Sequence, residues 1–313
     1  MLDIEKGVLI RGKYDGPMDV IRLPEGIERI GRNALSGLSC KKLEMPSTLK
    51  TIGAYAFDSA TIGAIDFGDC KLETIETSGF SGCEAVAALP DTVRKIGTTG
   101  CSALKMAKGG KLALPRSLRY LGARSICLHD VKEIEVDWGT VTDESNLASA
   151  LYSCAHTEIT IVIRVMREGK ELYNFVLYRG TQEGTTYDQE FKYYFVGADG
   201  LDFNLYDQCF MDVSRVYGRM EVAVNRLLVP YMLSEELEAM YRKYVLNHYE
   251  YLMDGKEEDI YWISKYGEAH MIGMKNLKAL LEFARKRKNV ELVAYLMDLI
   301  NREGGAKAKS LKM

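Results

Sequence analysis

Residues 43–57 read LEMPSTLKTIGAYAF, and this stretch decides the fold. Related stretches are VIRLPEGIERIGRNAL from residue 20, IDFGDCKLETIETSGF from residue 65, ALPDTVRKIGTTGC from residue 88 and LALPRSLRYLGARSI from residue 112. The half-copy IEVDWG, from residue 134, closes the series. The copies are spaced about 22 residues apart, except that Gly109-Gly110 lengthen the last interval. Five copies in one register predict a repeat protein.

The first part of each copy alternates between apolar and polar residues. Ile21 and Leu23, for example, alternate with Val20 and Arg22, which predicts a strand with one buried face. The proline that follows most copies of the strand ends it, because proline cannot donate a ladder hydrogen bond. A single copy buries too little surface to offset an ordering entropy of about 1–2 kcal/mol per residue. We therefore expect the copies to stack into one continuous solenoid.

The pattern L-P-x-x-(I/L)-x-x-I-G-x-x-A-F resembles the BspA-like class of leucine-rich repeats. The resemblance covers about residues 20–136 and weakens in the fourth copy, where Gly100-Cys101 replace Ala-Phe. It implies a non-catalytic binding or adhesion module, since members of this class are mostly of that kind and their repeats carry no catalytic residues. We assign residues 1–140 to this solenoid.

The composition changes after Trp138. Ile161, Ile163 and Val165 alternate with other residues, Gly169 marks a turn, and Tyr173 to Leu177 alternate again. This pattern predicts a small β-rich connector over residues 141–202, with a third strand at 191–195 and a helix at 144–152.

From about Asp202 the apolar spacing becomes helical, and the i, i+3, i+4, i+7 spacing of Val293, Leu296, Met297 and Ile300 predicts one buried face of the last helix. Pro230 is expected to end one helix and Ser234 to cap the next. Residues 257–300 resemble ankyrin-type helix pairs of the kind found behind such repeats in bacterial proteins, although the T-P-L-H signature is absent. The predicted fold class is therefore α+β in several parts, with an ankyrin-like all-α region at 203–303 and a flexible tail at 304–313.

Composition limits the class of protein further. The formal charge of −3 makes a nucleic-acid partner unlikely, and no apolar run is long enough to span a membrane. The seven scattered cysteines are typical of reduced thiols. With Met1 as the natural start, these features favour the cytosol. Removal of a leader would instead make the protein a surface or secreted one, as expected of a BspA-like adhesin.

Several motifs suggest metal or phosphate chemistry only superficially. Two Cys-x-His pairs, at 127–129 and 154–156, lack the spacing of zinc ligands. Asp199, Asp202 and Asp207 do not follow the calcium-loop pattern. The segment 108–111, KGGK, lacks the elements of a phosphate-binding loop and is interpreted as a repeat insertion. We predict no metal, no cofactor and no catalytic residue.

The sequence also contains candidate binding surfaces. The basic run 285–288 is interpreted as the solvated end of a helix. Outward residues of successive strands should align on one solenoid face, where we expect an unknown protein partner to bind. The helical stack is the other candidate surface. A cryptic enzyme with titratable groups near His156, Asp202 or His270 is the alternative from another class. The predicted partner-binding residues are Arg22, Glu44, Asp66 and Glu135.

Overall fold

The computed structural model describes residues 1–128, 131–137, 161–177, 202–212, 216–248 and 273–310. The chain forms two compact units, Met1–Tyr206 and Asp207–Met313. The described strands are β1 (Leu2–Glu5), β2 (Val8–Gly12), β3 (Met18–Arg22), β4 (Arg29–Ile30), β5 (Ser39–Glu44), β6 (Thr51–Ile52), β7 (Thr61–Asp66), β8 (Thr74–Ile75), β9 (Val86–Ala87), β10 (Lys95–Ile96), β11 (Lys111–Ala113), β12 (Tyr120–Leu121), β13 (Glu133–Asp137), β14 (Ile161–Arg167) and β15 (Lys170–Leu177). The described helices are α1 (Phe203–Asp212), α2 (Val216–Leu228), α3 (Glu235–His248), α4 (Met274–Lys286) and α5 (Val290–Ser310).

The repeats form a β-solenoid, as the sequence predicts. The first four coils contribute β3, β5, β7 and β9 to one sheet. The two-residue strands β4, β6, β8, β10 and β12 belong to the sheet β1-β2-β4-β6-β8-β10-β12, and neighbouring coils pair in parallel in both sheets. The inward residues of the two sheets are buried; Ile52 and Phe57 are both fully buried. The rings of Phe57 and Phe80, from successive coils, stack at 4.9 Å. Burial of this apolar column between coils is the main stabilising term.

Hydrogen bonds link residues one coil apart. The side chain of Ser47 donates to Glu25, and the ammonium of Lys50 donates to Glu28, each across 22 residues. The coils also approach closely at Gly53, where an added Cβ would lie 2.7 Å from the carbonyl oxygen of Ile30. Glycine is required at that position because the neighbouring backbone leaves no room for a side chain.

Two corners of the coil use left-handed backbone. At the first corner a non-glycine residue recurs once per coil with φ between 50° and 56°. At the second corner Gly37, Ser59 and Gly82 hold equivalent places, with φ of 70°, 55° and 63°. Such a backbone costs a non-glycine residue about 1–2 kcal/mol. The first-corner residues are Asn33, Tyr55, Ser78, Thr99 and Arg124.

A second four-stranded sheet follows the solenoid strands in the order β11-β13-β14-β15. β14 pairs in parallel with β13 and in antiparallel with β15, so the two strands predicted around Gly169 are present and extend the sheet of the last coils. Their Tyr173 contacts Phe203 edge-on at 5.1 Å, and the hydroxyl of Tyr206 donates to the carbonyl of Val176 at 2.7 Å. The predicted third strand and the helix at 144–152 lie outside the described residues.

The helical end is also present, and its predicted boundaries are found at two places. α2 ends at Leu228, before Pro230. The hydroxyl of Ser234 accepts a hydrogen bond from the amide of Leu237, which caps α3.

The last helix, α5, differs from the predictions in two details. Within residues 290–302 of α5, Leu292, Leu296 and Leu299 are buried, whereas Met297, predicted to face the core, is 45% exposed. α5 also continues to Ser310, beyond residue 304, where the sequence predicts a flexible tail. The Ala-Lys repeat after Gly304-Gly305 has high helix propensity, and this explains the longer helix.

Candidate functional site

The outward residues of the first solenoid strands stand in two parallel rows. Pairing in register places Val20, Lys42, Ala64 and Val86 side by side, and likewise Arg22, Glu44 and Asp66. We call these two rows the outer ladder. All seven residues lie at least partly in solvent, because residues of one parity on a pleated strand point to the same face. The structure thus brings together three of the four residues predicted to bind a partner.

The charges of the outer ladder form a connected network. The guanidinium of Arg22 donates to Glu44 at 2.5 Å. The ammonium of Lys42 lies 3.0 Å from Glu44 and 2.8 Å from Asp66. Hydrogen bonds from Lys42 hold the pKa values of the Glu44 and Asp66 carboxyls below their usual range, and the same bonds raise the pKa of Lys42. The network contains two cations and two anions, so its formal charges cancel.

The fourth predicted residue, Glu135, lies on a different sheet. Its strand, β13, belongs to the sheet β11-β13-β14-β15, where Glu135 pairs in register with Ala113 and Arg164. The sequence predicts one continuous face, and this prediction is wrong at the point between β9 and β11, where the two sheets are separate. The cause is the insertion ahead of β11, which displaces the fifth coil's strand from the register of the first four.

The insertion, residues 106–110, has a defined structure. Before it, Lys105 forms a single parallel bridge with Val86. Lys108 and Lys111 then exchange two backbone hydrogen bonds, of 2.9 and 3.1 Å, around a turn whose central residues Gly109 and Gly110 both have positive φ. This geometry is that of a tight hairpin turn, which requires glycine-like residues. The segment is therefore a hairpin within the repeat, and this hairpin is the form taken by the insertion that the sequence predicts at KGGK.

A groove of about 770 Å³ lies where the ladder is interrupted. Val86 is 58% exposed in it. Glu84 and Lys105, whose charged groups lie 3.3 Å apart, form part of its wall. Sequence reasoning missed this groove, although the longer interval to the last copy was a signal that the ladder would be interrupted. The other lining residues are Ser102, Ala103, Met106, Ala107, Gly109, Gly110 and Cys127.

Beyond the groove a second charged network covers β11, β13 and β14. The ammonium of Lys111 lies 3.1 Å from Glu133, and the guanidinium of Arg164 lies 3.3 Å from Glu133 and 3.1 Å from Glu171. The uncharged stretch of the ladder, from Ala64 to Val86, therefore lies between two networks of ion pairs. This arrangement resembles a protein interface with an apolar centre and a polar rim.

The thiols of the solenoid are mostly core residues. Cys40, Cys70, Cys83 and Cys101 are free and buried, and Cys127 is partly exposed. Burial, with a smaller contribution from Cys40, raises the pKa of the Cys83 thiol to about 12. Burial also raises the pKa of Cys101. Such thiols are poor nucleophiles and poor metal ligands at neutral pH.

The aspartates that suggested calcium have structural roles where the structure describes them. The Asp202 carboxylate accepts hydrogen bonds from the amides of Asn204 and Leu205, which is the arrangement of a helix N-cap. Asp207 is buried in an ion pair with Arg226. Asp199 lies outside the described residues, as do His156 and His270 of the cryptic-enzyme alternative. Within the described ranges, no group of three or more His, Cys, Asp or Glu residues is placed to hold a metal ion.

The basic run 285–288 lies at the end of α4, as predicted. Arg285 pairs with Glu282 at 2.8 Å, and the guanidinium of Arg287 lies over the ring of Phe283. Both contacts are local to the helix end, where cations complement the helix dipole. Among the described helices, none is both long and apolar enough to cross a membrane.

Comparisons with known proteins agree with the repeat pattern. Residues 13–126 match the model of the BspA type leucine rich repeat region in six copies. No curated protein matches the sequence. Among solved structures, the chain is similar to a leucine rich cell surface protein from Faecalibacterium prausnitzii, at 17% identity and a TM-score of 0.31. The match covers 52% of this chain and 36% of that one, so this chain spans about a third of that protein. The ankyrin-like character of the helical end stays a prediction.

Proposed function

We propose that this chain, whose residues 13–126 form a BspA-type leucine-rich-repeat region, is a non-catalytic module that binds a protein partner through the outer ladder. The observation that carries this proposal is the in-register parallel pairing of β3, β5, β7 and β9. It aligns solvent-facing side chains of four coils on one surface, and repeat proteins of this type are typically binding or adhesion modules. A partner surface can therefore contact several coils at once.

The charges of the outer ladder favour a partner that recognises the positions of individual charges, because the net charge of the network is zero. Arg22, Lys42, Glu44 and Asp66 neutralise one another. A complementary partner would place an opposite charge beside each, and such matching contributes mainly to specificity and association rate. Ala64 and Val86 supply an apolar patch beside the network, where exclusion of water would contribute most of the affinity.

Two further parts of the proposal concern the compartment of the protein and the extent of the binding surface. We place the protein in the cytosol because buried free thiols such as Cys83 and Cys101 are typical of a reducing compartment. We include Glu135 in the binding surface, although it belongs to the neighbouring sheet. An adhesin at the cell surface is the alternative, consistent with the repeat type. Localisation of the full natural gene product with a fused reporter distinguishes the two.

The test is affinity capture from lysate of the source cells with a variant whose network is inverted. The changes Arg22→Glu, Lys42→Glu, Glu44→Lys and Asp66→Lys keep every ion pair of opposite sign, so the fold is expected to persist while the presented charges reverse. The matched control is the swap Glu28→Lys with Lys50→Glu, which inverts one ion pair elsewhere on the solenoid.

A partner captured by the wild type and the control, but lost by the inverted variant, supports the proposal. Circular dichroism of each variant checks that the fold is retained. A partner that all three proteins retain moves the binding site to another surface, such as the helical stack. No specific partner from lysate, together with capture of an extracellular protein or matrix component, favours the adhesin alternative.

A further inference from the structure

We propose that the groove at the interruption of the ladder binds an extended, acidic peptide segment that carries apolar side chains. This inference rests on the proposed function and deepens it, because the groove adjoins Val86 at the end of the outer ladder. Three features support it: an open position at the edge of β11, an apolar wall, and two lysines beside the groove that form no ion pair among the described residues.

The first feature is the edge of β11, which lies directly after the hairpin that lines the groove. The outer edge of β9 is occupied, because the amide of Ala87 donates to the carbonyl of Lys105 and the amide of Lys105 donates to the carbonyl of Ala85. β11 is the first strand of the next sheet, and the hairpin covers its edge only at Lys111. The amide of Leu114 donates to the carbonyl of Glu135, so the even-numbered residues of this segment face β13. The exposed Ala113 therefore directs its backbone groups to the open side. An edge of this kind is a template for an added strand, which favours an extended occupant.

The second feature is the apolar wall of the groove. Val86 is 58% exposed, and Ala103, Met106 and Ala107 line the groove beside it. Its volume, about 770 Å³, lies in the range of pockets that bind small ligands or a few side chains. Methionine adapts its shape to different apolar partners. One or two apolar side chains of a bound segment would therefore be removed from water here.

The third feature is charge. Four lysines belong to the groove, to its hairpin or to the segment bonded to that hairpin: Lys105, Lys108, Lys111 and Lys132. Lys105 pairs with Glu84 and Lys111 with Glu133, whereas Lys108 and Lys132 form no ion pair with a carboxylate among the described residues. Lys108 and Lys132 therefore place positive charge beside a groove whose own charged lining residues, Glu84 and Lys105, neutralise each other. Acidic residues that flank an apolar anchor would complement this rim.

A nucleic acid is a less suitable occupant. Single strands are usually held by aromatic rings on which bases stack, and none of the described residues that line the groove is aromatic. The open position at Ala113 of β11 also matches a polypeptide backbone, which can both donate and accept hydrogen bonds.

The experiment uses fluorescein-labelled peptides of about eight residues, the length of an extended strand, and the purified full chain. One peptide alternates glutamate with leucine, a second lysine with leucine, and a third glutamate with serine. Fluorescence anisotropy is expected to show binding of the first and at least about tenfold weaker binding of the other two, a difference of about 1.4 kcal/mol. A single-stranded RNA oligonucleotide serves as the competing class of ligand.

Two variants locate the site. Val86→Asp and Lys108→Glu are each expected to weaken the binding of the first peptide about tenfold or more. Val290→Asp, at an exposed valine of α5, and Lys71→Glu, an exposed lysine in another coil, are the matched controls and should change the affinity less than about twofold. Circular dichroism of each variant verifies folding.

Equal binding of all three peptides, no binding of the first, equal loss in the control variants, or preference for RNA would each overturn the inference. The outcome is separable from that of the proposed function. A partner lost by the network-inverted variant, together with no peptide binding at the groove, contradicts only the inference made here. Peptide binding without any captured partner would contradict only the use of the charged network.

Discussion

Both carboxylate oxygens of Asp207 accept hydrogen bonds from the guanidinium of Arg226, at 2.8 and 2.7 Å, and the two side chains are almost wholly buried. The hydroxyl of Tyr241 donates a third hydrogen bond to Asp207, at 2.7 Å. Arg226 also donates to the carbonyl of Tyr231. These groups join α1, α2 and α3, so the pair specifies how three helices meet in the second unit.

Breaking this pair should destabilise the helical unit strongly. Asp207→Asn leaves the buried guanidinium without its counter-charge, and the expected loss is about 3–5 kcal/mol. Urea unfolding followed by far-UV circular dichroism measures it. The double change Asp207→Leu with Arg226→Met removes both charges and should cost less than Asp207→Asn alone. A double variant that is as unstable as the single one would show that the pair contributes net stability beyond charge compensation.

The left-handed corner at Ser59 should accept glycine with a gain in stability. Its φ of 55° is unfavourable for serine, and the neighbouring coils have Gly37 and Gly82 in the same place. Ser59→Gly relieves this strain but adds freedom to the unfolded chain, so the net gain is expected to be about 0.5–1 kcal/mol. Thermal unfolding of the full chain provides the measurement. Ser59→Ala is the matched control and should give no gain, because alanine has the same difficulty with positive φ.

The ion-pair network of the outer ladder should make the free energy of unfolding depend on pH in the acid range. Glu44 and Asp66 have lowered pKa values in the folded chain, mainly through hydrogen bonds from Lys42. Groups with lowered pKa values stabilise the fold above their ordinary values of 4.5 and 3.8, and this contribution is lost as the pH falls through the lowered values. Lys42→Met should therefore be less stable than the wild type at neutral pH.

Denaturant unfolding at several pH values tests this expectation. The difference between wild type and Lys42→Met should shrink as the pH falls below 4.5 and disappear once both carboxylates are protonated. Lys71→Met, which removes an exposed lysine that forms no ion pair within the described part of the chain, should show no such trend. A difference that is constant with pH would mean that Lys42 contributes through packing of its methylene groups alone.

The cysteines of the solenoid should differ in reactivity. With a pKa of about 12, Cys83 is a thiolate in only about one molecule in 10⁴ at pH 8. Cys101 is fully buried with a raised pKa as well. Iodoacetamide labelling of the folded chain, mapped by mass spectrometry, should modify the partly exposed Cys127 and leave Cys83 and Cys101 unmodified. Equal labelling of the three thiols before denaturation would show that the coils open readily.

The repeats could be predicted from the sequence because their positions depend on local periodicity. Ile21, Leu43 and Ile65 recur at one spacing, and each is buried on a strand of the same sheet. The outward position of Arg22, Glu44 and Asp66 follows from the same alternation. Helix ends at Pro230 and Ser234 depend on single residues with strong backbone preferences, and they were predictable for that reason.

Other features depend on where distant residues meet, and the sequence pattern alone did not predict them. The Gly109-Gly110 pair marks an insertion in the sequence. That this insertion separates two sheets and opens a groove is seen only in the three-dimensional structure. Asp207 and Arg226 are 19 residues apart and meet because of the angle between two helices. Met297 is predicted to face the core but is exposed. The apolar face of α5 is wider than the area that packs against other residues, so some of its apolar side chains remain in solvent.

The one-coil register has a mechanical consequence. Ser47, for instance, bonds to Glu25 in the preceding coil, and Arg22 bonds in the same way to Glu44 in the next. A force that pulls on one end of the solenoid would therefore load one coil boundary at a time. Each coil that detaches would lengthen the chain by up to roughly 75 Å, the extended length of its residues. Glu76 reaches Arg29 across two coil boundaries, so the first three copies should resist such peeling together.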